Sequence, residues 1–252
     1  LEPNNEDASR PSLQAKADGD HWILNGQKHC VPYLQQAQSV LLTAQSEGEL
    51  LVLLVDVNAA GMTVTPQQAT AGEPQAHCLL ENYQAAAGSV VARGDQAGEL
   101  VQWMLLLSRA ATSSIALGLC DRMMRMTAEY TSQREQFGVP VATFQAVGHR
   151  TADCYVDVEC LRLVVQQAVS LLTLELDAEE AVTIAKIWAG DVCHRVSQAS
   201  QHLHGGIGVD RDYPLFRYCL WARQLELSLG TSARLTEQLG VDIALEFAEA
   251  SP

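Results

Sequence analysis

The stretch 201–232, QHLHGGIGVDRDYPLFRYCLWARQLELSLGTS, holds two glycine-bearing turns on either side of an amphipathic segment. They are His204-Gly205-Gly206-Ile207-Gly208 and Leu229-Gly230-Thr231. Glycine tolerates positive φ and lets a backbone approach a ligand closely, so Gly-Gly-x-Gly after a helical run suits a phosphate. The same residues also suit a plain helix C-cap followed by a new helix. The rest of the chain decides between the two.

Just upstream, Ala181, Ile184, Trp188, Val192, Val196 and Ala199 fall three or four apart and predict a helix running into the first turn. Asp177 is its expected N-cap, with Glu180 completing an acidic capping box. Residues 144–174 predict another helix, with Cys154, Val158, Leu161, Val165 and Leu172 on one face and Cys160 as a second core thiol. Residues 97–133 form a long helical pattern ended by Gly138 and Pro140. The segment after Pro214 gives a fourth helix, and 241–252 a short one that frays. Long helices with short connections predict an antiparallel four-helix bundle.

Before Gly94 the period is that of strands. Residues 21–24 and 28–31 flank Asn25-Gly26, a strong hairpin signal, and 39–44, 49–57, 61–65, 78–80 and 89–91 are further short runs. Their spacing predicts a small β-barrel or sandwich. The fold class is therefore α+β, with a β domain over 1–95 and a four-helix bundle over 96–252.

Composition narrows the function. With 30 acidic and 16 basic residues the formal net charge is -14, which repels nucleic acid and anionic lipid. Seven cysteines without a CxxC do not make a disulfide framework and point to a reducing, cytoplasmic setting. No histidine spacing suits a metal, so no metal site is expected. The apolar run 104–107 is far too short to cross a membrane. The opening is polar and acidic, unlike a signal peptide, and begins with Leu1, as an internal start or fragment would.

Arg134-Glu135-Gln136-Phe137-Gly138 followed by Phe144-Gln145 resembles the R-x-x-F-G…Q signature of the acyl-CoA dehydrogenase family. Gly205-Gly206-Ile207-Gly208, then Tyr213-Pro214 and Gly230-Thr231, is similar to its G-G-x-G…P…E-G-T. Glu2-Pro3 matches its T-E-P, and Asn25-Gly26-Gln27-Lys28 its N-G-x-K. The resemblance reaches from Glu2 to about Leu239. It implies an N-terminal helical domain that this chain lacks, either cut away or replaced by a partner, then the β domain and the bundle.

It also implies FAD, shared at a subunit interface. The matching positions are Arg134, Gln136, Phe137 and Gln145, with Gly205, Gly206 and Thr231. A guanidinium forks onto pyrophosphate oxygens, and glycine amides approach a phosphate. The family's glutamine three places before the first glycine is His202 here, with Gln201 one place off. Where the family has Trp-Ile-Thr over the flavin ring, this chain has Cys30-Val31-Pro32, as in the branch acting on steroid and other bulky acyl-CoA thioesters.

The reaction implied is removal of an α-proton with hydride transfer to flavin, and a base there supplies ~10²–10⁴ in rate. The family's base positions fall on Leu229 and Ser108, neither a carboxylate. Glu226, one helical turn before Leu229, is a weak candidate for a relocated base, and Asp212 a weaker one. Arg109 keeps its match, either at the substrate entrance or as a structural cation. The pattern resembles the non-catalytic subunit of a heteromeric acyl-CoA dehydrogenase, an α2β2 assembly with a related subunit. Two alternatives stand beside it: a homomeric flavoenzyme using Glu226, or a structural relative without flavin. The electron acceptor is either an electron-transfer flavoprotein or oxygen.

Overall fold

A computed structural model describes residues 9–249. Glu2-Pro3 lies outside the described residues. The chain divides into two compact units, the first ending at Met104 and the second beginning at Leu105.

The first unit carries β1 (Gln14–Asp18), β2 (His21–Pro32), β3 (Ser39–Ser46), β4 (Glu49–Asp56), β5 (Met62–Gln68), β6 (Pro74–Ala86) and β7 (Val90–Arg93). They form one seven-stranded sheet in the order β5-β6-β2-β1-β3-β4-β7. β1 and β3 are parallel, and the other neighbours antiparallel. Leu24, Leu42, Leu51, Leu53, Cys78 and Leu80 share one core. The Tyr83 hydroxyl of β6 donates to the Asp56 carbonyl at the end of β4, 3.0 Å away, although three strands separate β6 and β4 in the sheet order. The sheet therefore curls over its own core, the barrel-like form expected.

The hairpin expected at Asn25-Gly26 is not there. β2 runs through both residues, and the turn falls at Gly19-Asp20, between the paired Asp18 and His21. Asn25 and Gly26 instead sit at a break in register against β6. Gly26 has φ +141, and a Cβ there would lie 3.0 Å from Leu13. The Asn25 carboxamide accepts from the Asn82 amide at 2.8 Å. A bulge needs the same two residue types as a tight turn, so the dipeptide alone does not separate them.

Strand gives way to helix at Gly94, between β7 and α1 (Asp95–Gln133). The second unit carries the rest of α1, then α2 (Gln145–Thr173), α3 (Glu179–His204), α4 (Leu215–Leu227) and α5 (Ser232–Glu249). The bundle core includes Cys120, Met123, Val158, Leu161, Val192, Val196 and Leu215. Contrary to the run-length reading, α1 is long and apolar enough to cross a membrane by length and composition. Its alanines and cysteine raise the average where no long unbroken run exists, and Ala110, Ala116 and Cys120 are buried in the bundle core. Three other expectations shift. The short helix expected over 241–252 begins instead at Ser232, as the 18-residue α5. Cys154 is core but Cys160 is only half-buried, because six residues place it well round the helix from Cys154. Ala178, not Asp177, occupies the N-cap of α3, while the Asp177 carboxylate accepts from the Glu179 amide at 3.2 Å.

α3 packs against α2, α4 and α5, which bury half of its residues and leave Asp191, His194, Arg195, Gln198 and His202 exposed along one stripe. Lys186 on α3 is wholly buried, its ammonium donating to the carbonyls of Gly230 (3.1 Å) and Glu226 (3.5 Å). Burial lowers its pKa from 10.5 to about 8, with smaller opposing effects from Cys193 and Glu226 and a reinforcing one from Arg109. Between those values the unfolded chain binds more protons, so this group makes stability rise with pH. The buried thiols of Cys154 and Cys219, pushed up to about 11 and about 12 by burial, act in the opposite sense above pH ~9. The readout is therefore a difference: the unfolding free energy of wild type minus that of Lys186→Met should increase from pH 8 to 10.5, by up to ~3 kcal/mol. Denaturant titrations at several pH values measure it, and a flat difference would contradict the assignment.

Candidate functional site

α1 ends at Gln133, and the chain then makes a small hairpin of β8 (Glu135–Gln136) and β9 (Val139–Pro140). It is closed by Arg134, whose amide bonds the Tyr130 carbonyl and whose carbonyl accepts from Val141, both at 2.8 Å. The turn residues Phe137 and Gly138 have φ of 56° and 77°. Glycine adopts this conformation freely, whereas a side chain costs ~1–2 kcal/mol. Phe137 is nonetheless 95% exposed, and among the described residues the one ring that its own meets is Phe144, edge-on at 6.3 Å. Among the described residues no closer packing of that ring offsets the strain. Beside it Arg134 is exposed, its guanidinium without a hydrogen bond or ion pair among the described residues. The Gln136 carboxamide donates to its neighbour's carbonyl (Glu135, 2.6 Å), and Gln145, first residue of α2, is exposed.

α3 ends in the other motif. Gly205 has φ 64° and ψ -139°, a region essentially restricted to glycine, and opens a 3₁₀ turn, Gly205–Val209. A Cβ on Gly208 would fall 2.6 Å from the Gln201 carbonyl oxygen, but one on Gly205 or Gly206 would meet nothing within 4 Å. Gly208 is thus required by local packing and Gly205 by its backbone. Gly206 is required by neither, and it presents bare main chain to solvent. Gln201 is half-buried and His202 exposed in the last turn of α3.

His204 brings the two motifs together, which the sequence reading missed. The residue is 3% exposed, and its ring stacks on Tyr130 of α1 at 4.4 Å and 18° and leans against Tyr213 at 5.4 Å and 51°. Nδ1 lies 2.8 Å from the Ser200 carbonyl, so it carries the proton, and Nε2 accepts from the Tyr213 hydroxyl at 3.3 Å. Arg134 follows Tyr130 by four residues and Gly205 follows His204, so both motifs sit at the same end of the bundle. An aromatic residue closely preceding each motif was the available signal.

Leu229, Thr231 and Arg109 lie elsewhere. Leu229 has φ 58°, and its carbonyl accepts from Arg109 Nε at 3.1 Å. Burial lowers the pKa of that guanidinium, with Glu179 opposing and Arg234 adding to the effect. Lys186 holds the Gly230 carbonyl, and the Ser232 hydroxyl donates to Ile187 at 3.0 Å. Thr231 caps α5, its hydroxyl accepting from the Arg234 amide at 3.4 Å. Ser108 is exposed. The Glu226 carboxylate is paired with Arg223 and lies 3.4 Å from His194 Nδ1, while its other oxygen is buried without a hydrogen bond. Asp212 is exposed in the loop before α4.

The two groups are far apart. From Lys186 to His204 is 18 residues of α3, ~27 Å of helix, and from Arg109 to Arg134 is 25 residues, roughly 36 Å. Arg134, Gln136, Phe137, Gln145, Gln201, His202, Gly205 and Gly206 occupy one end of the bundle. Arg109, Leu229 and Thr231 occupy the other.

Residues 97–243 match the family described as acyl-CoA dehydrogenase, C-terminal domain. The chain is 35% identical over 240 residues to acyl-CoA dehydrogenase FadE27 of Mycobacterium tuberculosis, covering 92% of this chain and 63% of that protein. It superposes on a chain of the ChsE4–ChsE5 complex from Mycobacterium tuberculosis with TM-score 0.87 and 35% identity, over 94% of this chain and 64% of that one. A chain of the Tcur3481–Tcur3483 steroid ACAD gives 0.85 and 35%, over 95% and 64%. The chain thus spans a little under two thirds of the length of these relatives.

Because the Phe137 ring is strained and idle within the chain, Phe137→Gly should leave the unfolding free energy unchanged or raise it by up to ~1 kcal/mol. Urea denaturation reads this directly, and a loss of stability would show that the ring supports the bundle after all.

Proposed function

The chain belongs to the acyl-CoA dehydrogenase family, and from that premise we propose that it is a subunit lending nucleotide-binding groups to a flavin shared with an unlike, related subunit. It supplies no base of its own. The observation that carries this reading is the distance between the two ends. The groups suited to a nucleotide are ~27 Å along α3 from the turn at Leu229, so they serve a different flavin from any that this turn faces.

The residues at the first end fit the diphosphate and adenosine of FAD. Arg134 offers an exposed guanidinium with no partner among the described residues, suited to a forked bond to phosphate oxygens. Gly205 and Gly206 leave room for a close approach of main chain to phosphate, and Phe137 presents a bare ring face for the nucleotide's ring system. Gln136, Gln145, Gln201 and His202 surround them with amide and imidazole donors. When bound, FAD supplies the hydride acceptor for α,β-dehydrogenation of an acyl-CoA.

At the other end Arg109 and Lys186 fix the turn, but the side chain delivered there is leucine, which takes no proton. Glu226 is engaged by Arg223 and does not substitute for it. The proton acceptor then comes from the partner, in an α2β2 assembly. The 35% identity to the steroid ACAD and to FadE27 favours a bulky, steroid-type thioester as the substrate.

Co-expression with the partner subunit tests this. The complex is expected to be yellow, with a flavin band near 450 nm, and active, and the isolated chain inactive. Arg134→Ala should weaken FAD binding by about tenfold or more, the scale of a lost charged hydrogen bond, while Glu226→Gln should leave turnover unchanged. Activity in the isolated chain that Glu226→Gln abolishes would refute the proposal.

A further inference from the structure

His204 is 3% exposed and reaches neither proposed ligand, yet its side chain contacts both sides of the nucleotide end. Its stack on Tyr130 fixes the last turn of α1, from which the Arg134 hairpin springs. Its backbone leads into Gly205, and its Nε2 holds Tyr213 in the loop between the glycine turn and α4. Both ring nitrogens are committed, one as donor to Ser200 and the other as acceptor from Tyr213. That pair of bonds belongs to the neutral tautomer alone.

We propose that His204 is a positioning residue for the flavin-nucleotide contact, holding the Arg134 hairpin and the Gly205-Gly206 turn in register only while its imidazole is neutral. The proposal rests on the reading of that end as a nucleotide contact. Protonation would place an N–H at Nε2, facing a hydroxyl that already points its hydrogen there. Tyr213 would have to turn that hydrogen away, and a cation would have to sit between two rings out of reach of water. The titratable groups facing the ring are Tyr130 on α1 and Tyr213 on the loop. Glu129 and Arg122, also on α1, act on the Tyr213 phenol. Burial lowers the pKa of His204, opposed by the Ser200 hydrogen bond. The folded-state value thus lies below the unfolded one, ~6.5. The arrangement is fully present above that pH and is lost as pH falls through the folded value. Nucleotide affinity falls with it.

The test uses the chain co-expressed with its partner subunit, with FAD as the probe. Apo complexes of wild type, His204→Phe and Tyr213→Phe are titrated with FAD between about pH 5.5 and 8, with far-UV circular dichroism to establish folding. Wild-type affinity is expected to fall toward acid pH by a factor approaching ~10 per unit, the limit for one linked proton. His204→Phe keeps an aromatic ring but no titrating group. It should bind FAD more weakly at pH 8, with the acid limb gone. Tyr213→Phe removes the donor to Nε2 and destabilises the neutral ring, so the acid limb should move to higher pH, along with the His204 imidazole proton resonance. A folded His204→Phe complex with an unchanged acid limb overturns the proposal and leaves the flavin reading standing. Should that variant not fold, an unmoved limb and resonance in Tyr213→Phe overturn it equally. A wild-type complex that takes up no FAD at any pH overturns the flavin reading, and this proposal with it.

Discussion

A polar side chain on the buried face of a helix has no solvent to turn to, so it must find a partner inside the protein or cost ~1–3 kcal/mol. Among the described residues α3 carries four such side chains, Thr183, Lys186, Ser200 and His204, and the two large ones, Lys186 and His204, lie toward its opposite ends. Both turn to main-chain carbonyls: Lys186 to Gly230 and Glu226, His204 to Ser200. A carbonyl cannot move without its backbone. The lysine therefore fixes the turn between α4 and α5, while the histidine, through its two tyrosine neighbours, fixes the ends of α1 and α3 and the loop before α4.

One rigid helix thus sets the distance between the Leu229 turn and the Gly205 turn. Side-chain rearrangement does not close ~27 Å of α-helix. The sharing of each flavin between subunits, in the proposed function, follows from that length: a chain that grips a nucleotide at one end of its bundle must leave the reaction at that flavin to another chain. The ion pairs between helices, Asp157 with Arg195 and Asp121 with Arg162, hold the bundle in register without bearing on either end.

Most of the helical unit was legible because helical periodicity is long and redundant. Residues 144–174 and the Ala181–Ala199 stripe lie where α2 and α3 form, and misplacing a cap by one residue, as at Asp177, changes little. The β unit was less legible because its signals are short. Asn25-Gly26 serves a bulge as well as a turn, and β1 is too short and polar, as QAKAD, to register by alternation. At the site, motif order singled out residues that the structure exposes at one end of the bundle, Arg134, Gln136, Phe137 and Gly205 among them. It did not say that Thr231 belongs with Leu229 rather than with Gly205, nor that His204 ties the motifs together. Those are facts of distance across the bundle, and spacing along the chain carries no record of which carbonyl a buried side chain will find.

The clamp at the other end explains how a leucine can stand where a base is expected with the fold unperturbed. Arg109 and Lys186 bond the carbonyls of Leu229 and Gly230, and Ser232 bonds Ile187. None of these contacts involves the side chain at 229. The positive φ of that residue is imposed from the backbone on either side and is the same for any L-residue placed there. The conformation of the turn and the chemistry it presents are therefore physically independent. A carboxylate can be lost at 229 at no expense to the bundle, whereas loss of Lys186 would leave two buried carbonyls unpaired. In a pair of related subunits, the residue free to differ is then the one that does the chemistry, and the residues bound to persist are those that aim it.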